Sequence, residues 1–388
     1  MKIVYSIFSK AGKPGGHFFS FEHTITAMSE RIDPVILYLG KEHPVIDSLP
    51  FKKYHVVFSL SSIGEVKKII SKENPDAIHC FDLASYRFLS LSLCFKNVKF
   101  LLTIPGGNPN PQKLPYCKDI ILFSQETMKS FQCCKRFRKT SFYYIPNRVN
   151  YSRLNQSETP KDGFFKLVQI IRIAEVKHNQ IVRTLNLLRI LVNQRINVKL
   201  ILAGTINTPS EKKYIDEFIL SNDLNNNFEF ISDKRVYRGS DLLSLGDCVI
   251  ATGRSVMEAA ALKKIILVPT KNVEFPVLLD EQNFEGLFHF NFSGRTPSQY
   301  GQDEFKKIER LLTDNKYKEE IIRFVSKKCE QYFLLSDEVI SLYCKIYDNL
   351  LNQNKKIVIY KNLQSWVELI CRLGCKQLYD GIKLVRIH

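Results

Sequence analysis

Several familiar chemistries are missing from this sequence. No run of 18 or more apolar residues occurs in its 388 residues, so no bilayer-spanning helix is expected. No Asp-x-Asp pair occurs either, and with it goes a common way of holding a divalent ion. The ten cysteines show no paired metal spacing: Cys133 and Cys134 adjoin, and Cys371 and Cys375 lie four apart on a predicted helix. There is no G-x-G-x-x-G run and no Walker A loop. The opening MKIVYSIF is too short for an export leader. Reduced thiols in a cytoplasmic protein are the expectation.

Acidic residues are also scarce. There are 39 Asp and Glu against 56 Lys and Arg, a net charge of +17. The excess is densest at the start, with 21 basic against 11 acidic residues in positions 1–150. Such a surface favours a phosphate-bearing substrate, an acidic membrane face or nucleic acid, and it also serves plain solubility. No basic-aromatic module of the nucleic-acid binders is present, so a nucleic-acid partner is not expected.

What is present is a long alternation. Short apolar runs fall at 2–8, 34–40, 54–60, 76–81, 99–104, 119–124 and 141–146. A second set falls at 165–171, 198–204, 228–232, 247–253, 264–270 and 287–292. Helical patterns such as NQIVRTLNLLRILVNQ (179–194) lie between them. Strands that are apolar on both sides, separated by helices, predict two consecutive parallel α/β systems. The aperiodic YSRLNQSETPKDG (151–163) reads as their linker. Ligands of open α/β sheets bind beyond the carboxyl ends of strands, so the chemistry is sought there.

Beyond the first strand lies SKAGKPGGHFF (9–19), where Gly15 and Gly16 open a helix and allow close approach of an anion. A plain turn is the other meaning of two glycines. Beyond the strand at 165–171, Arg172 and Lys177 put two cations at a sheet edge; they suit a diphosphate, and two solvated surface charges are the other meaning of the pair. Beyond 247–253 comes GRSVMEAAALKKIILVPT. Ser255 and Glu258 have the S-x-x-E form of a capping box. Glu258 has equally the place of a carboxylate that holds a ribose diol beside a phosphate-binding helix end. Spacing leaves both roles open.

These fragments, in this order, resemble the GT-B glycosyltransferases of the group 1, or family 4-like, superfamily. The resemblance rests on Gly15-Gly16, IPNRVN (145–150), the R-x4-K pair Arg172 and Lys177, LILAG (200–204), and Gly253 and Glu258 followed by MEAAALKKIILV (257–268). It covers roughly residues 1–350. It implies an α/β GT-B fold: two Rossmann-like domains whose parallel sheets face an interdomain cleft. The acceptor domain is 1–150, with a returning helix at about 336–352, and the donor domain is 164–335.

By that resemblance Arg172 and Lys177 bind the donor's diphosphate and act in catalysis. Glu258 binds the ribose and is counted with them. Gly253, Gly15 and Gly16 approach phosphate and sugar, and Arg254 and Ser255 add donors. The donor is a nucleotide-diphosphate sugar, with no other cofactor. No metal is expected, since the missing Asp-x-Asp belongs to the metal-dependent GT-A enzymes. His17, Gly106, Gly107 and Glu126 fall on the acceptor side, and His17 and Glu126 are the candidate general bases. Two positions depart from the family: Ile250 replaces a first glutamate, and Pro105 replaces a histidine in TIPGGNPNP (103–111). The P-G-G-N-P-N-P form resembles transferases of bacterial surface polysaccharide, lipopolysaccharide or capsule, acting on a glycan or lipid-linked acceptor, and the family's donor site implies retention. A sugar-nucleotide epimerase and a non-catalytic nucleotide-sugar binder are the alternatives.

The last segment, 353–388, is an added basic amphipathic tail. Leu363, Trp366, Val367, Ile370 and Leu373 are predicted on one helical face, and Lys and Arg far outnumber Glu368 and Asp380. It suits an anionic membrane surface, giving a protein peripheral on the inner face of the plasma membrane, or else a docked helix.

Overall fold

The computed structural model describes residues 1–10, 15–155, 157, 162–271, 273–297, 303–352 and 359–385, with side chains for all of these except 153, 359–360 and 376–385. The chain divides into two units: Met1–Pro146 with Leu335–His388, and Asn147–Leu334.

The first unit begins β1 (Lys2–Ser9), α1 (Gly16–Met28), β2 (Asp33–Gly40), α2 (Pro44–Asp47), β3 (Lys52–Val56), α3 (Ile63–Glu73), β4 (Ala77–Cys80) and α4 (Leu83–Ser92). It continues β5 (Phe100–Ile104), β6 (Asp119–Leu122), α5 (Gln125–Gln132) and β7 (Ser141–Tyr144). The sheet is parallel throughout, in the order β3-β2-β1-β4-β5-β6-β7. Alternate residues of β1 feed two cores. Ile3, Tyr5 and Ile7 join α1 on one face, and Val4 joins α3 and α4 on the other. Burial on both faces is why these strands read as continuous apolar runs.

The second unit runs β8 (Phe165–Ile170), α6 (His178–Asn193), β9 (Val198–Ala203), α7 (Pro209–Ser221), β10 (Phe228–Ile231), β11 (Cys248–Ile250), α8 (Arg254–Ala261), β12 (Ile265–Val268) and β13 (Val277–Leu278). Then come α9 (Phe284–His289), α10 (Glu304–Thr313) and α11 (Asn315–Tyr332). Its order is β10-β9-β8-β11-β12-β13, parallel except for the antiparallel β12–β13 pair. The unit's two ends are tied together where the Val149 amide donates to the Phe333 carbonyl at 2.7 Å.

The chain returns to the first unit as α12 (Asp337–Asn352) and α13 (Ile359–Val385). Val339, Tyr343, Ile346, Tyr347 and Leu350 of α12 enter the core beside α1, and Leu369 and Leu373 of α13 enter the opposite core.

Three sequence expectations are corrected. The run at 287–292 is not a strand: it is the end of α9 and a turn. Phe284, Leu287 and Phe288 bury one helical face at i, i+3 and i+4, a pattern that a short apolar run conceals. The strand expected at 54–60 is β3 at Lys52–Val56, and Val57 beyond it is exposed. The two-residue β13 is too short to show any period. The tail's apolar residues do not share one environment. Trp366 and Leu373 are buried, whereas Leu363, Val367 and Ile370 are exposed. The described part of 151–163 lies within the second unit, where Asn155 Nδ2 donates to the Asp241 carbonyl at 3.2 Å. Its residues 156 and 158–161 lie outside the described residues, as do 353–358 and 386–388 of the tail.

Candidate functional site

A doubly wound sheet offers a crevice where its strand order reverses. In the second unit that point is between β8 and β11. The residues leaving those two strands are the ones singled out by spacing. Beyond β8 stands Arg172, exposed, and then a single 3-10 turn, Glu175–Lys177, that leads into α6. Lys177 is half-buried. Burial lowers its pKa, and the neighbouring charges of Arg172 and Arg295 lower it further. Its ammonium donates to Gln180 Oε1 at 3.4 Å. Arg172, Lys177 and Arg295 thus form a cationic group at the sheet's carboxyl edge.

Gly204, the end of LILAG, allows the strands to converge here. A Cβ on it would stand 1.7 Å from the Ile171 carbonyl oxygen. Beyond β11, Gly253 turns the chain at φ +57°, ψ −127° and caps α8, a conformation open to glycine. Ser255 is therefore not the N-cap, and the expected capping box is displaced: Ser255 sits at the second helical position. Ile250 is buried within β11.

Glu258 faces a different partner. Arg254 Nε donates to its Oε1 at 2.7 Å, and both side chains are 5% exposed. The same guanidinium donates through Nη1 to Asn147 Oδ1 and to the Arg148 carbonyl, each at 3.0 Å. Arg254 is engaged with the IPNRVN stretch through Asn147 and Arg148.

In the first unit the order reverses between β1 and β4. Beyond β1, Gly15 caps α1 and Gly16 begins it. His17 packs on Phe18, with ring centroids 4.1 Å apart. Beyond β4, Asp82 accepts the Phe8 amide at 2.6 Å and the Ser85 amide at 2.7 Å, tying the two strand ends together. Burial raises its pKa to about 6. The PGGN loop meets the start of α5. Thr127 Oγ1 donates to the Gly107 carbonyl at 2.9 Å, and Asn108 Nδ2 donates to Glu126 Oε1 at 3.0 Å. Gly106, Gly107 and Glu126 are thus brought together.

Sequence reasoning missed four residues near these strand ends. Arg295 lies 118 positions beyond Lys177 in a loop without a motif. The pair His178 Nδ1–Glu211 Oε2, 3.0 Å apart, joins the starts of α6 and α7. Asp82 had a legible signal, an aspartate between a strand and a helix three residues before Ser85. Among the described residues no group of three His, Cys, Asp or Glu is placed to hold a metal, and all ten cysteines are free thiols.

No family model matches the sequence, and no curated protein sequence does. Solved structures do match. A glycosyltransferase from Rickettsia africae is similar over 91% of this chain and 99% of its own, with 15% identity and a TM-score of 0.67. Anabaena Alr3699/HepE, solved with UDP-glucose, is similar over 91% and 100%, with 15% identity and a TM-score of 0.66. A putative UDP-N-acetylglucosamine 2-epimerase from Listeria monocytogenes is similar over 83% and 91%, with 11% identity and a TM-score of 0.56. With two α/β units built on parallel-dominated sheets and these likenesses along most of its length, the chain has the GT-B fold.

Proposed function

We propose that the protein is a glycosyltransferase that moves a sugar from a UDP-linked donor to a glycan or lipid-linked acceptor in bacterial surface-polysaccharide synthesis. The observation that carries this reading is the cationic group at the β8–β11 switch point, beside the amino end of α8. In the reaction the leaving diphosphate gains negative charge. Arg172, Lys177 and the α8 amides are fixed donors for that charge, and stabilising it lowers the barrier. HepE, of similar fold, was solved with UDP, and with UDP and glucose. With cations from the protein itself the chemistry runs without metal, and the family resemblance implies retention at the sugar. Glu258 orders the donor pocket through Arg254 and meets the ribose. Gly106, Gly107 and Glu126 line the acceptor side, where Asp82, Glu126 or His17 takes the hydroxyl proton. The protein works in the cytoplasm on the inner membrane face.

The test is UDP release from a panel of UDP-sugars in chelator, with and without bacterial lipid-linked acceptors. Release that needs both the acceptor and Arg172 supports the reading. Conversion of the donor sugar with no acceptor would make the protein an epimerase. Tight UDP binding with neither reaction would make it a non-catalytic binder.

A further inference from the structure

The loop after α9 is built with unusual care for a surface turn. Asn291 and Phe292 both have left-handed backbones, at φ +52° and +50°, and such residues persist only where their surroundings hold them. The Phe292 ring is fully buried, with centroids 5.7–5.9 Å from Phe284, Phe288 and Phe333. The Phe292 carbonyl accepts the Gly253 amide at 3.1 Å, which pins the loop to the cap of α8. Two residues on, Gly294 lies so close to Gln180 that a Cβ would stand 2.5 Å from Nε2. Gln180 is also the residue that holds Lys177. Thr296 closes the turn, donating from N and Oγ1 to the Ser293 carbonyl at 3.0 and 2.8 Å. Arg295, exposed at the tip, is thereby fixed between the start of α6 and the cap of α8.

Arg295 adds a third cation to Arg172 and Lys177, and three cations gathered at one edge favour an anionic ligand there. A nucleoside has no such anion, and a diphosphate does. We propose that Arg295 is a phosphate-contacting residue of the donor site, holding the diphosphate between the turn at 290–297 and the Arg172–Lys177 edge. This rests on the nucleotide-sugar reading above. The planar guanidinium supplies forked hydrogen bonds to phosphate oxygens, which a lysine at the same place cannot reproduce.

The experiment measures UDP, pyrophosphate and uridine binding by calorimetry for wild type, Arg295→Ala and Arg295→Lys, with melting temperature as the fold control. Arg295→Ala is expected to weaken UDP and pyrophosphate by about ten- to hundredfold and to leave uridine unchanged. Arg295→Lys is expected to fall between. If the wild type binds neither UDP nor pyrophosphate, the donor-site reading falls and the inference with it. If the wild type binds UDP and Arg295→Ala binds it equally well, the inference alone is overturned. Equal losses for UDP and uridine would make Arg295 a structural residue, and would overturn it too.

Discussion

The His79 imidazole and the Tyr347 hydroxyl lie 2.8 Å apart, fully buried and 268 positions apart in sequence. His79 Nε2 meets Thr103 Oγ1 at 2.7 Å, and the Tyr347 hydroxyl also meets that of Tyr5 at 2.7 Å. One polar chain thus threads β1, β4 and β5 to the returning helix α12. Tyr347→Phe removes its centre and strands two buried polar groups. A loss of about 1–3 kcal/mol in urea unfolding is expected. A loss within error would show that α12 is held by apolar packing alone.

The same histidine sets a pH dependence. Burial lowers its pKa to about 3, far below the value near 6.5 of an unfolded chain. The unfolded state therefore binds the proton first. The contribution is complete above about pH 6.5 and is lost as pH falls toward 3, by up to about 1.4 kcal/mol per pH unit. Unfolding of His79→Leu measured from pH 7 to pH 5 is expected to lack this slope. A slope equal to that of the wild type would assign it to other groups.

How much of this was legible in the sequence follows from the physics of each signal. Strands buried on both faces announce themselves as apolar runs, so twelve of the thirteen expected strands correspond to strands of the two sheets. The thirteenth, at 287–292, failed because Phe288, Phe290 and Phe292 alternate like a strand although the backbone there is a helix end and a turn. Arg172, Lys177 and Gly253 were legible because strand ends place them. The partner of Glu258 was less so: an i, i+4 arginine and a capping serine are both consistent with GRSVME, and only the backbone of Gly253 decides between them. Arg295 was illegible because nothing local marks a residue whose meaning comes from a neighbour in another loop.

The Arg254–Glu258 pair is the next target. A buried pair that loses one member leaves a charge without compensation. Glu258→Ala is expected to cost about 3–5 kcal/mol and to weaken UDP, because Arg254 loses its orienting carboxylate. Glu258→Gln, which keeps the size and one acceptor oxygen, is expected to cost less. Calorimetric UDP titration of the folded Glu258→Gln protein separates the roles. Unchanged affinity would confine Glu258 to structure.

Gly204 tests whether close strand convergence positions Arg172. Any Cβ there collides with the Ile171 carbonyl, and backbone is unable to give way as a side chain would. Gly204→Ala is expected to cost about 1–3 kcal/mol, and to weaken pyrophosphate binding more than uridine binding. Parallel losses of both ligands would detach Arg172 from the geometry of the β8 end.

The inner edge of α13 is firmly held. Trp366 Nε1 donates to Ser90 Oγ at 3.1 Å, and buried Asn362 accepts the Tyr116 amide at 2.7 Å and donates back to its carbonyl at 3.0 Å. Docking on the first unit therefore accounts for Trp366, Leu369 and Leu373. It leaves Leu363, Val367 and Ile370 exposed by 41–56% on the adjoining edge. The tail that bears them carries Lys361, Arg372, Lys376 and Lys383 within α13 and three further basic residues, Lys355, Lys356 and Arg386, outside it. A helix fixed on one edge, apolar on the next and basic in composition matches the interface of an anionic bilayer. The wild type is expected to float with vesicles containing anionic lipid, to be released as salt screens the charges, and to ignore neutral vesicles. Replacing Leu363, Val367 and Ile370 by Ser is expected to abolish flotation without lowering the melting temperature, since none of the three is in the core. Flotation that survives the triple change, or that is equal on neutral vesicles, would leave docking as the helix's whole role.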